Sequence, residues 1–211
     1  MQLTFALILS LVGKVCKFDE FVKSGDYSRS GLFCGTTNFM ELAGKRIGII
    51  GMGTIGSKVA HVAEAFGMEV AYYSTSGTSH CKDYPSLPLD ELLATSDIVS
   101  IHAPLNERTL NLIDEKELAL MKPTAFIVNV GRGGIVNETA LAKAIDAGTI
   151  AGAGADVFTK EPLPADNPLM NCKNSDAPLL MPHIGWASRE AKERLIAGVA
   201  DNISKWLNCR N

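Results

Sequence analysis

The stretch GKRIGIIGMGTIG, residues 44–56, decides the fold. Its β-branched apolar run, Ile47–Ile50, is typical of a buried strand, and a helical apolar pattern begins at Thr54. Between them lie three glycines in a GxGxxG pattern: Gly51, Gly53 and Gly56. Glycines at these positions allow a tight turn, close approach of a pyrophosphate, and close packing of helix on strand. Since the helix start also attracts phosphate, this context favours a dinucleotide-binding turn over an ordinary glycine turn.

The composition is that of an ordinary globular chain. Its 211 residues suffice for one sizeable domain or slightly more, and 46% of them are apolar. Twenty basic and 23 acidic residues give a net charge of −3 without a basic block, which argues against nucleic-acid and anionic-membrane partners. The five cysteines are scattered and form no CxxC pair. This pattern predicts reduced thiols in the cytoplasm and no metal site.

Strands and helices alternate along the chain from Lys45 onward. The predicted strands cover residues 46–50, 69–73, 98–101, 125–130, 150–157 and 179–181. The predicted helices cover residues 54–66, 89–94, 114–121, 138–147 and 188–207, with Asn137 and Ser188 as N-caps of the last two. This alternation predicts an α/β fold, a doubly wound parallel sheet of Rossmann type with its ligand at the carboxyl ends of the strands.

The first 43 residues precede this alternating pattern. Residues 2–23 predict one helix, whose first half is apolar on nearly all sides and therefore needs a covering partner. We expect that partner to be missing. The apolar start resembles the apolar region of a signal peptide, but it lacks a positive flank and a cleavage site. It is also too short to span a bilayer, so we interpret it as a buried helix. Residues 24–43, with aromatic Tyr27, Phe33 and Phe39, predict an irregular arm that either reaches another molecule or covers its own domain.

The end of the second strand lacks the expected acidic residue. A carboxylate about 20 residues beyond the glycines would bind the adenosine ribose and repel a 2′-phosphate. Here the strand ends in Ser74-Thr75-Ser76. Hydroxyl groups can donate to either partner, and we expect no nearby arginine that would favour the phosphate. The choice between NAD(H) and NADP(H) therefore stays open.

Three later strand ends carry side chains suited to catalysis: Arg132, Glu161 and His183. An arginine on a glycine-rich turn can hold a carboxylate bidentately and polarise a carbonyl. A histidine beside a carboxylate is the common general acid–base pair. Each residue alone has a plain structural explanation, as a turn residue, a loop carboxylate or a half-buried histidine. Their occurrence on three successive strand ends, beyond a dinucleotide turn, indicates a shared site. A methyltransferase, which also uses a glycine-rich first turn, would not explain them.

These motifs resemble the D-isomer-specific 2-hydroxyacid dehydrogenases, in particular their glycerate dehydrogenase (hydroxypyruvate reductase) members. The resemblance covers nearly the whole chain and rests on residues 51–56, 102–105, 109, 129–133, 156–162 and 182–186. It implies an oxidoreductase acting on the CH–OH group of D-2-hydroxy acids, with hydride transfer between a nicotinamide cofactor and a 2-keto acid such as hydroxypyruvate or glyoxylate. It also implies a homodimer.

The resemblance assigns roles to individual residues. Arg132 would bind the substrate carboxylate and carbonyl, His183 would exchange a proton with the carbonyl oxygen, and Glu161 would keep His183 charged and oriented. Ser74 would lie at the adenosine ribose, and Asp156 would hold the nicotinamide carboxamide. The implied cofactor-binding residues are Gly51, Gly53, Thr54, Ile55, Gly56, Ser74, Pro104, Thr109, Val130, Gly131, Arg132, Asp156, His183 and Gly185.

The sequence departs from the family in two respects. Ser74 replaces the usual ribose-binding Asp, and we expect the flavodoxin-like substrate domain that begins family members to be largely absent. The implied organisation is an interdomain helix and dimerisation arm (1–43), an NAD(P)-binding Rossmann domain (44–185), and a C-terminal helix returning toward the absent domain (186–211). We expect impaired catalysis. The alternatives are an NAD(P)-binding module, similar to the family's corepressors, with little catalysis, or an inactive fragment.

Overall fold

Six parallel strands form a single sheet. The strands are β1 (Arg46–Ile50), β2 (Glu69–Tyr73), β3 (Ile98–Ile101), β4 (Phe126–Asn129), β5 (Gly152–Ala155) and β6 (Pro178–Leu180). Their order is β2-β1-β3-β4-β5-β6 in a computed structural model that describes residues 1–31, 38–78, 81–174 and 177–209. Strand order reverses between β1 and β3, which opens a ligand crevice at their carboxyl ends. The predicted doubly wound Rossmann-type sheet is confirmed.

Helices cover both faces of this sheet. They are α1 (Gln2–Val12), α2 (Val15–Lys23), α3 (Asp26–Ser30), α4 (Thr54–Ala65), α5 (Leu89–Thr95), α6 (Glu115–Leu120), α7 (Glu138–Asp146) and α8 (Arg189–Asn208). The predicted N-caps of the last two are confirmed, because Asn137 accepts from the N–H groups of Thr139 and Ala140, and Ser188 accepts from that of Ala191. A short 3₁₀ turn, Pro168–Asn171, was not predicted.

Alternating side chains of the strands divide the core between two faces. In β4, Ile127 belongs to a cluster that α5, α6 and α7 complete. Its neighbours Phe126 and Val128 belong to the opposite cluster, together with residues of α1 and α4. Successive strand residues point to opposite faces, so both faces of a central strand must be apolar. This arrangement leaves the strand ends and their loops to carry polar groups.

The N-terminal helix differs from its prediction in two ways. The single helix over residues 2–23 is wrong, because α1 ends at Val12 and Lys14 adopts a left-handed conformation with φ 50°. The expectation that α1 lacks a covering partner is also wrong. The helix packs on β4 and β5, where a side-chain carbon at Gly154 would lie 3.3 Å from Leu7 and from Leu11. The small residues of β5 leave the room that this apolar helix occupies.

The arm over residues 24–43 is not wholly irregular, since it contains α3. Phe33 and Cys34 lie outside the described residues. The strand predicted over 150–157 is shorter, as β5 covers four residues and those that follow form loops at the site. Within the described part of the chain, no helix is both long and apolar enough to cross a membrane.

Candidate active site

The glycine turn (residues 51–56) joins β1 to α4 at the sheet's carboxyl edge. Gly51 has φ 95°, a value that favours glycine, and its N–H donates to the Tyr73 carbonyl at 3.0 Å. A side-chain carbon at Gly56 would collide with the Gly51 carbonyl, whereas one at Gly53 would meet nothing within 4 Å. Among the described residues no side chain caps α4, so the first N–H groups of this helix are left without a side-chain partner. The turn therefore fits a dinucleotide phosphate.

The loop after β2 lies beside this turn and is cross-linked by hydroxyl groups. Ser74 Oγ donates to the Thr78 carbonyl at 2.7 Å and lies 3.1 Å from Ser76 Oγ. An arginine is nonetheless present here, because Arg108 Nη1 donates to the Ser76 carbonyl at 3.1 Å. The expectation of no nearby arginine is wrong. Arg108 follows a different strand, so sequence distance hid this contact.

The loop after β3 is organised by Thr109. Its side chain is fully buried, donates to the Pro104 carbonyl at 2.7 Å and accepts from the Asn106 N–H at 2.8 Å. Thr109 therefore shapes this loop from within, while Pro104 is exposed at its surface. At the strand end, His102 Nε2 lies 2.8 Å from Ser100 Oγ, and burial lowers the pKa of His102 to about 4. The imidazole is thus neutral near pH 7.

The turn that carries Arg132 is held by Asn129, a residue to which the sequence assigned no role. The Asn129 side chain accepts from the Gly131 N–H at 3.1 Å and donates to the Arg132 carbonyl at 3.0 Å. Gly133 leaves no room for a side chain, because one would collide with the Phe158 carbonyl. The Arg132 side chain is exposed, and its Nη1 donates to the Gly131 carbonyl at 2.7 Å. The turn thus places the exposed Arg132 guanidinium just beyond the carboxyl end of β4.

Glu161 and His183 lie on different loops, and their side chains contact each other. Nδ1 of His183 lies 2.7 Å from Glu161 Oε2, and both side chains are a little over one-third exposed. The second carboxylate oxygen accepts from the Phe158 N–H at 2.9 Å. Burial opposes ionisation of Glu161, but the hydrogen bonds from His183 and Phe158 outweigh it and hold the pKa of this carboxyl below its ordinary value. The pair is therefore an imidazole oriented by an ionised carboxylate.

Asp156 fixes the histidine loop (residues 181–186) in place. Its side chain is 1% exposed and accepts from the N–H groups of Ile184, at 2.8 Å, and Gly185, at 2.7 Å. A side-chain carbon at Gly185 would lie 2.9 Å from Asp156 Oδ2. His183 itself has φ 54°, a left-handed conformation that these bonds on its two successors support. Sequence reasoning gave Asp156 a cofactor contact and did not foresee this loop contact.

Residues 5–185 match the family model described as D-isomer specific 2-hydroxyacid dehydrogenase, NAD binding domain. The chain belongs to this family. It is 44% identical over 209 residues to a glyoxylate reductase of Aeropyrum pernix and 40% identical over 207 residues to one of Thermococcus litoralis. Each alignment covers 96% of this chain and 61% of the relative. The chain thus spans about three-fifths of the length of these relatives.

Two solved structures share the fold of this chain and have moderately similar sequences. A D-lactate dehydrogenase from Aquifex aeolicus, complexed with NAD and lactic acid, is 28% identical with a TM-score of 0.87. An acyclic imino acid reductase (Bsp5), in complex with NADPH and D-Arg, is 33% identical with a TM-score of 0.85. This chain is covered to 98% in both, and covers 65% and 64% of them respectively.

The predicted site residues of this family member fall into two groups. The glycine turn, Ser74 and the Pro104 loop lie at the ends of β1, β2 and β3. Arg132, Asp156, Glu161 and the histidine loop follow β4, β5 and β6. All these strands run parallel, so both groups occupy one edge of the sheet. The structure pairs Glu161 with His183 directly. The Arg132 side chain, in contrast, donates to the Gly131 carbonyl of its own turn.

Proposed function

We propose that this chain carries the cofactor site and acid–base pair of an NAD(P)-dependent D-2-hydroxyacid dehydrogenase. The observation that supports this most is the 2.7 Å contact of His183 with Glu161, at the same sheet edge as the glycine turn. Relatives named glyoxylate reductase support a small 2-keto acid as substrate. We further propose glyoxylate and hydroxypyruvate as substrates, which corresponds to the glycerate dehydrogenase type.

His183 is the proposed proton donor for reduction. Its Nδ1 is engaged by Glu161, which leaves Nε2 to give a proton to the substrate carbonyl oxygen and to remove it in the reverse reaction. Glu161 fixes the ring's tautomer and orientation and stabilises the charged imidazolium. Arg132 is proposed to bind the substrate carboxylate, because its guanidinium is exposed and can rotate away from the Gly131 carbonyl.

The remaining site residues are proposed to hold the cofactor. Backbone N–H groups of Thr54 and Ile55 would bind the pyrophosphate over Gly51, Gly53 and Gly56. Ser74 would face the adenosine ribose, and Pro104, shaped by Thr109, would line the cofactor. The nicotinamide side is proposed to comprise Val130, Gly131, Arg132, Asp156, His183 and Gly185. The nicotinamide, when bound, supplies or takes up a hydride, while these residues orient the reactants.

Two measurements on this chain test the proposal together. Titration with NADH and with NADPH, followed by fluorescence transfer from Trp186, reports cofactor binding. Decay of reduced-nicotinamide absorbance with glyoxylate or hydroxypyruvate reports turnover. Binding with turnover supports the dehydrogenase. Binding without turnover supports the NAD(P)-binding module instead, and absence of binding contradicts both.

We propose the domain division given by the resemblance: 1–43, 44–185 and 186–211. We also propose a homodimer formed through the arm. Helix α2 has no buried residue, and the exposed apolar side chains in this region include Val15, Val22 and Phe39. Static light scattering should give twice the mass of one chain. A mass of one chain at micromolar concentration would contradict the dimer.

We propose a cytoplasmic location. Cys16, Cys81, Cys172 and Cys209 form no disulfide among the residues that the structure describes, and Cys34 lies outside them. Burial raises the pKa of Cys172, which keeps its thiol protonated. Five titratable thiols in the purified, unreduced protein would agree with a reducing compartment. Paired thiols would contradict it.

A further inference from the structure

Three loops converge where an adenosine ribose is expected. The Gly51 N–H donates to the carbonyl of Tyr73, the last residue of β2. A side-chain carbon at Gly51 would lie 2.9 Å from the backbone of Ala103, which lies in the loop after β3. The glycine turn, the loop of residues 74–78 and the loop of residues 102–109 therefore adjoin at the end of the first two strands. In this fold the ribose 2′ position lies at the end of β2.

The loop of residues 74–78 offers hydroxyl and backbone groups and no carboxylate. Its internal bonds use Ser74 Oγ and Ser76 Oγ, both directed toward the Thr78 carbonyl. An acidic residue here would bind the two ribose hydroxyls and repel a phosphate. Without it, nothing in this loop opposes an anion at the 2′ position.

Arg108 adds a positive charge to the same place. Its Nη1 donates to the Ser76 carbonyl, and a side-chain carbon at Gly77 would lie 4.0 Å from that nitrogen. The backbone of Arg108 is itself fixed, since its N–H donates to Asn106 Oδ1 at 2.9 Å. A guanidinium has five N–H donors, so one bond to Ser76 leaves four for a ligand. The arginine is thus placed on the loop with most of its donors available.

We propose that Arg108 and the loop of residues 74–78 bind the 2′-phosphate of NADP(H), and that this chain therefore binds NADP(H) more tightly than NAD(H). The proposal rests on the proposed function for the cofactor site itself. Arg108 would contact the phosphate directly, and the hydroxyl groups of Ser74 and Ser76 would rotate to donate to it. A charge-assisted bond of this kind discriminates because NAD(H) has a hydroxyl at the same position.

A purely structural role for Arg108 would have a different consequence. If the arginine served only to hold the Ser76 carbonyl, its removal would disturb the loop for both cofactors alike. If it binds the phosphate, its removal affects one cofactor alone. The difference between the two affinities, rather than either affinity by itself, separates these roles.

The experiment measures dissociation constants of NADPH and NADH by fluorescence for the chain and for three variants. Arg108→Gln should weaken NADPH about 10- to 100-fold, the range for a hydrogen bond between charged groups, and leave NADH within about twofold. Arg189→Gln removes the same charge from exposed α8 and should change neither. Ser74→Asp should reverse the preference toward NADH.

Each outcome decides a separate question. Selective loss of NADPH affinity in Arg108→Gln, with tighter NADPH binding by the unaltered chain, supports the proposal. Equal weakening of both cofactors, or tighter NADH binding by the unaltered chain, overturns it while leaving the proposed function intact. Failure of the unaltered chain to bind either cofactor overturns the proposed function and this assignment with it.

Discussion

The glycine turn and the histidine loop lie at the same edge of the sheet, yet they are held in different ways. The glycine turn is shaped by backbone atoms, through the Gly51–Tyr73 hydrogen bond and the lack of room for a side chain at Gly56 beside the Gly51 carbonyl. The histidine loop is held by carboxylate side chains, Asp156 beneath it and Glu161 beside His183. One half of the site therefore depends on shape and the other on charge.

Because of this difference, substitutions in the two halves of the site should have different effects. A substitution at Gly51 or Gly56 adds atoms where there is no space, so it should damage binding and folding together. A substitution at the histidine loop removes a proton donor or an acceptor, so it should damage chemistry while the sheet persists.

The largest expected effect is that of His183→Ala on turnover. Removing a general acid typically lowers the rate by about 10²- to 10⁴-fold, and we expect a loss of about a thousandfold in reduction of glyoxylate or hydroxypyruvate. The cofactor dissociation constant should stay within about twofold. His61→Ala, which removes an exposed histidine of α4, is the matched control for both assays. Weakened cofactor binding in His183→Ala would contradict the assignment of proton transfer.

A second prediction concerns the backbone-held half. Gly56→Ala places a carbon against the Gly51 carbonyl and at 3.2 Å from Ile49 Cγ2, so the turn must shift. We expect about 2 kcal/mol of destabilisation in denaturant unfolding and roughly a hundredfold weaker cofactor binding. Gly198→Ala is the control, because a carbon there meets nothing within 4 Å. Unchanged binding in Gly56→Ala would show that shape does not limit this turn.

The same contrast explains what the sequence could predict. The glycine turn is a local pattern, and the strands over 69–73 and 98–101 were predicted with the bounds that the structure has. Contacts between distant residues were not predictable from local patterns. Asp156 is separated from Ile184 by 28 positions, and Arg108 from Ser76 by 32. Which loops meet depends on strand order, and no single segment carries that information.

The packing of α1 is a further feature that the sequence predicted only in part. Its apolar surface indicated that a partner was needed, but the identity of that partner depended on β5, whose residues 152–155 are glycine and alanine. Small side chains there let Leu7 and Leu11 approach the sheet. The sequence indicated that α1 must be buried, and the small side chains of β5 determined where the helix packs.

Asp156→Asn should have an intermediate effect on the charge-held half. The amide keeps one acceptor oxygen, so one of the two backbone N–H groups at Ile184 and Gly185 loses its partner. We expect about 2 kcal/mol of destabilisation and faster amide exchange at these two residues. Asp146→Asn is the matched control, because exposed Asp146 also accepts from a backbone N–H, that of Lys173. Equal costs for both variants would contradict a special role for Asp156.

The smallest expected effect is the acid dependence contributed by Glu161. Its pKa is held below the ordinary value of 4.5, so in acid the unfolded chain binds this proton more readily than the folded chain. The stabilisation is therefore fully present above about pH 4.5 and is lost as the pH falls through the lowered pKa. Because about one-third of the Glu161 side chain is exposed, solvent screening limits the size of this stabilisation. In denaturant unfolding, the stability difference between the chain and Glu161→Gln should shrink below that pH, with Glu193→Gln as the control for charge. A difference that stays constant down to pH 3 would mean that ionised Glu161 does not stabilise the folded loop, and the histidine loop would then depend on Asp156 alone.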